Sequence, residues 1–180
     1  MINKKLAKNK ETPVPTETEK KRFLDLELEI INQMGKAVKG HRPMEAYFLG
    51  WSVIEQFMLP RLIRFIAGHL KVVIPKESLE TNYVHLIKYY YFLSHDHELY
   101  LALDRGRKNR NKLTHELYKK EDWETIKKDF KKCLKKDIVD IFSLFQARFN
   151  GKTPIPVLTL YTSGWNDGLQ KAVEVIRGRI

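Results

Sequence analysis

The chain of 180 residues is 43% hydrophobic and 11% aromatic, enough for one sizeable core and too apolar for a disordered protein. Its net charge of +11 points to an anionic partner, with nucleic acid ahead of a membrane surface. No apolar run reaches the length of a membrane span, the N-terminus lacks the apolar core of a signal peptide, and the single cysteine, Cys133, excludes an internal disulfide and fits a reducing cytoplasm.

Residues 1–22 are lysine-rich, hold Pro13 and Pro15, and read as a flexible basic arm. A helical bundle is expected over 23–150. Leu24, Leu28, Ile31, Met34 and Val38 recur at steps of three and four, the spacing of an amphipathic helix, and Gly40 can end it. Pro43 suits the first turn of the next helix. The run Met44–Leu70 is apolar around most of its circumference, which predicts a central position, and Pro60 is expected to kink or break it. Val72–Ile74 could be a short extended piece. A third helix is predicted over about Leu79–Leu93. Ser94–His97 can cap and restart the chain, giving a helix from about Asp96 to Leu117. In the last long helix Trp123, Ile126, Phe130, Cys133, Ile138, Ile141, Phe145 and Phe149 mark the apolar side, and Gly151, Pro154 and Pro156 end it. The C-terminal extension, 151–180, combines a β-branched stretch with a short helix packed on the bundle. The sum is an all-α, up-and-down bundle of four to five main helices.

The charge is concentrated. Arg105–Lys136 holds 13 Lys/Arg against 5 Asp/Glu, a net +8 of the total +11. On a helical wheel Leu99, Leu103, Leu113 and Leu117 fall within an arc of about 80°, and Arg110 falls inside it. An arginine at an apolar position needs partners, because an unpaired buried charge is costly. A second stripe, roughly 120° away, carries Arg107, Asn111, His115 and Tyr118, groups that can donate, accept and transfer protons. Arg110 and His115 therefore do not share a face. They converge only if the arginine wraps around the helix or two copies meet across a two-fold axis.

The segment "RNKLTH" resembles the R-x(4–6)-H motif of the HEPN superfamily, all-α domains of prokaryotic defence and toxin systems and of RNA processing. Asn111 matches the polar residue often found after the motif arginine. Tyr118 is similar to the motif tyrosine of HEPN toxins paired with a nucleotidyltransferase antitoxin, although Glu116 and Leu117 separate it from His115 where those toxins have one residue. The aromatic helix holding "GWSVIEQ" and the long amphipathic helix after the motif extend the resemblance over about Leu24–Phe149. It implies a HEPN-like bundle acting as a metal-independent, cofactor-free endoribonuclease. Such an enzyme works as a homodimer, leaves 2′,3′-cyclic phosphate ends and serves as a toxin or anti-phage component with an antitoxin or nucleotidyltransferase partner. On this reading His115 is the general acid/base. Arg110 holds phosphate and stabilises charge on its oxygens. Asn111 orients either group, and Arg107, Lys108, Lys112 and Tyr118 bind RNA.

Plainer readings compete. Arg110 could be purely structural, paired with Glu55 of the central helix, and Glu55 either supports a site from behind or only neutralises the arginine. His95 and His97, two apart, face different ways on a helix and make a poor metal pair. Lysine neighbours would lower the pKa of Cys133, yet its register is that of Phe130 and Ile141, so core packing is expected. Of Tyr89, Tyr90 and Tyr91, at least one belongs to the core and the others could stack bases. The lysine pairs after Thr125 contact RNA or form the wet side of a helix. A non-catalytic HEPN domain that binds RNA or a protein is the alternative to an enzyme.

Overall fold

The computed structural model describes residues 17–79, 81–117, 119 and 122–149. Among them the chain is an all-α helical bundle without strands. The β-branched stretch and short helix expected within 151–180 lie outside the described residues, as does Tyr118.

Helix α1 (Glu17–Lys39) starts inside the expected arm, so 17–22 belong to the bundle. Met34, Ala37 and Val38 are buried from it, and Glu27, fully buried, is tied to Arg61 at 2.5 Å. The chain turns at Gly40–His41, where His41 takes the left-handed conformation with φ 54°. Histidine tolerates that region better than most residues. Pro43 then opens α2 (Pro43–Val53), one of the most buried elements, with Tyr47 and Trp51 almost inaccessible.

Pro60 does not break the chain. A π-helical turn, Ile54–Met58, runs from α2 into α3 (Leu59–His69), and the Leu59 N–H bonds five residues back to the Ile54 carbonyl. The wide turn absorbs the hydrogen bond that proline cannot make. Residues 72–74 form no strand, and a short α4 (Lys76–Leu79) precedes α5 (Tyr83–Ser94).

Asn82 caps α5 by accepting from the His85 N–H at 3.2 Å. His95, with φ 54°, ends it. Asp96 then caps α6 (His97–Leu117), its Oδ1 accepting from the Leu99 N–H at 3.2 Å. The same carboxylate takes two bonds from Arg148, at 2.8 and 3.0 Å, and one from the Tyr90 hydroxyl at 2.7 Å. The start of α6 is thereby pinned to α5 and to the last of the described helices. Asp122 caps α7 (Trp123–Cys133), which passes through a second π turn, Leu134–Ile138, into α8 (Val139–Phe149). Helices α6 and α7 pack as an antiparallel hairpin, since Arg105 and Asn109 both reach Asp137.

Candidate nucleic-acid surface on α6 and α7

The site grows from one glycine. A Cβ on Gly106 would stand 2.6 Å from Trp51 Cζ2, so only glycine lets the indole come this close to α6. One turn on, the Arg110 guanidinium sits 5.5 Å from the Trp51 ring and 5.7 Å from the Tyr83 ring, within cation–π range of both. Trp51 and Tyr83 meet edge to face, 5.5 Å apart at 85°. Arg110 Nη1 donates to Glu55 Oε1 in a close ion pair. The arginine does face the apolar side, as its wheel position predicts: Leu99, Leu103 and Leu113 are buried beside it, and only 25% of its own side chain is exposed. Nε and Nη2 have no acceptor among the described residues.

Burial raises the Glu55 carboxyl above its ordinary value, against the lowering effect of Arg110. Burial also raises the Tyr83 phenol well above its usual range, and nearby Glu55 adds to it. The hydroxyls of Tyr47 and Tyr83 and the Trp51 indole N–H are buried without a hydrogen-bond partner among the described residues.

The second stripe divides. Asn111 and His115 are exposed and have no partner among the described residues. Arg107 instead turns back one helical turn and grips Asp104 with Nε and Nη2 at 3.1 and 2.8 Å. The two remaining RNA-binding candidates on α6 are also engaged: Lys108 pairs with Asp104 at 2.7 Å, and Lys112 with Glu116 at 3.5 Å. Arg105 reaches Asp137 at 3.4 Å and Asp140 at 3.2 Å. Every cation of α6 therefore has a carboxylate. Asp104, Asp137 and Asp140 lie just outside the basic window of the sequence and fold back onto it.

The opposite holds on α7. Lys127 pairs with Glu124 at 2.8 Å and leans over Trp123. Lys128, Lys131, Lys132 and Lys135, at helical spacings of three and four, are exposed and without a carboxylate among the described residues. Within the α6–α7 hairpin the unneutralised positive charge thus gathers on α7 and the π turn that follows it. Sequence reading placed these lysines as a choice between RNA contact and wet face, and it missed His41 and Arg42, which approach them from the α1–α2 turn.

Other expectations resolve simply. Tyr90 is core, while Tyr89 and Tyr91 are partly exposed. Tyr91 joins Tyr100, His95 and His97 in a surface cluster of rings, with Tyr91 and Tyr100 4.7 Å apart. Cys133 is packed against the core as expected, but burial pushes its thiol up to about 11, overriding the lysines that were expected to lower it. Among the described residues no helix is long and apolar enough to cross a membrane. Compared with family models, with curated proteins and with solved structures, the chain finds no match.

Proposed function

We propose that the protein is a HEPN-type endoribonuclease whose working unit is a homodimer joined along α6. One observation carries this reading. An arginine is braced from behind by Glu55 and two aromatic rings, with Nε and Nη2 unengaged, on the same helix as an exposed, unpartnered histidine. Bracing fixes a fork that can hold a phosphate bidentately without first losing side-chain freedom. His115 lies five residues on, about 7.5 Å along the axis but on another side of the helix. A second copy across a two-fold axis would bring the two kinds of group to one cleft. Leu101, half exposed, lies about four turns before His115 on the same face, and an apolar side chain there suits a helix-to-helix contact.

In the proposed reaction His115 removes the proton of a ribose 2′-hydroxyl. The 2′-oxygen attacks the adjacent phosphorus and the P–O5′ bond breaks. The products are a 2′,3′-cyclic phosphate and a 5′-hydroxyl that takes up a proton. Arg110 offsets charge on the non-bridging oxygens, and Asn111, one residue after it, orients phosphate or imidazole. A toxin or anti-phage role, with an antitoxin or nucleotidyltransferase as partner, belongs to the same proposal.

The test is cleavage of total RNA in EDTA by wild type and His115→Ala. The expected result is a loss of about 10²–10⁴-fold in rate, the usual weight of a general acid–base group. Equal cleavage by both, or none by either, sinks the enzyme reading. A second reading, RNA binding without cleavage, is favoured by the position of the uncompensated lysines on α7 rather than around His115. Tight RNA binding by a wild type that cleaves nothing would establish it.

A further inference from the structure

Where α7 passes the α1–α2 turn, the surface folds into a groove of about 280 Å³. Val38, Pro43 and Leu134 make its apolar floor, and His41, Lys128 and Lys131 stand on its walls. Two further cations of the lining are already paired: Arg42 holds Glu45 at 2.6 Å, and Lys127 neutralises Glu124, the one carboxylate of the lining, at 2.8 Å. His41, Lys128 and Lys131 have no such partner among the described residues. From the groove the exposed lysines continue along the helix through Lys132 to Lys135, about 10 Å beyond Lys128.

Such a row is not neutral for stability. Like charges three and four residues apart each cost a helix a few tenths of a kcal/mol, as an order of magnitude. Neighbouring α6 cancels that cost with Asp104 and Glu116, and α7 leaves it standing. The helix also continues through a π turn into α8, so the lysines at 131–135 do not face an open C-terminal dipole that would reward them. A ligand that brings its own negative charges at intervals would remove the cost.

We infer that this groove is a phosphate-binding subsite that grips single-stranded RNA apart from His115. One nucleotide rests on the Val38–Pro43–Leu134 floor, with its phosphate among His41, Lys128 and Lys131. The volume lies at the small end of ligand pockets, which suits one nucleotide unit and not a folded structure. The floor gives a base or ribose an apolar seat, and the lysine row continues in the direction a flexible backbone would run. Five residues separate the end of α6 from the start of α7, so the groove and His115 lie at the same end of the α6–α7 hairpin. The inference takes its ligand from the RNA-directed reading above but needs none of its chemistry.

Binding of a fluorescein-labelled oligouridylate to the full chain, followed by anisotropy at several salt concentrations in a His115→Ala background, tests it without cleavage. The double variant Lys128→Gln/Lys131→Gln should lose about tenfold in affinity, and its salt slope should fall by about 1.4, the share of two single-strand phosphate contacts. Lys128→Arg/Lys131→Arg should bind normally. Unchanged affinity and slope in the glutamine variant overturn the subsite. So does equal competition by polyglutamate, or duplex DNA that binds as tightly and is weakened as much. If the glutamine variant binds poorly while no form of the protein cleaves RNA, the subsite stands and the ribonuclease falls. If it binds normally while His115-dependent cleavage persists, the reverse holds.

Discussion

Helices α6 and α7 both carry a run of lysine and arginine, yet they use that charge differently. On α6 each cation has a carboxylate, and the helix is held at its start by Asp96 with Arg148, in its middle by Asp137, and across the core by Glu55. Along α7 and the π turn after it, four lysines face solvent without a counter-charge among the described residues. Positive residues on α6 serve largely to place the helix, whereas those on α7 are available to something else. A count of charge along the chain cannot separate the two.

Breaking a brace on α6 should therefore cost far more than removing a lysine from α7. The largest effect is expected for Glu55→Ala, which leaves Arg110 charged among Trp51 and Tyr83. Urea unfolding should show a loss of about 3 kcal/mol, the low end for a broken buried pair because about a quarter of each partner is exposed. A loss under about 1 kcal/mol would mean that the arginine simply swings out to water.

Asp96→Asn should come next, at about 2 kcal/mol near neutral pH, since it weakens charge-assisted bonds from Arg148. The pH dependence gives a sharper reading. Burial works to raise the Asp96 carboxyl, but hydrogen bonds from Arg148, Tyr90 and the Leu99 N–H outweigh it and hold it below its ordinary value. Its stabilisation is thus complete above the unfolded value of about 3.9 and is lost as pH falls below that. Asp137 and Glu55 are raised, by burial first, so they have the opposite sign: the fold gains from them as pH drops through their folded values. Denaturation midpoints of wild type and Asp96→Asn should converge on the acid side, and parallel curves would contradict the pairing.

The smallest effect belongs to α7. Lys132→Ala removes one member of the uncompensated row and should leave thermal stability unchanged or raise it by about 0.2–0.5 kcal/mol. A clear loss would show that the row is structurally committed like the cations of α6.

Much of this was legible in the sequence. The wheel put Arg110 among the leucines, and Glu55 was already the candidate partner. Asp104 was readable too, since it stands three residues before Arg107 and four before Lys108, the spacings at which a helix brings opposite charges together. The pairing of Arg105 with Asp137 and Asp140 was not, because it depends on how the hairpin closes. Nor was the groove, whose walls come from the α1–α2 turn and α7, segments that no local periodicity links. Pro60 announced a disturbance, but the sequence did not say that a wide turn would take it up with the helix continuing.

Both anchoring carboxylates at the centre of α6, Glu55 and Asp137, sit in the two π turns. A π turn holds one residue more than regular winding would, and this has a consequence for the gene. Deleting the codon of Gln56, an exposed residue, would remove the extra residue and leave an ordinary helix, so that Leu62, Ile63 and Ile66 keep their places in the core. The same loss at Arg64, exposed in the regular winding of α3, would instead rotate the buried Ile66 and Ala67 by about 100°. An in-frame loss of one codon should therefore be tolerated better at Gln56 than at Arg64, and at Val73, 90% exposed in the turn after α3, it should pass almost unnoticed.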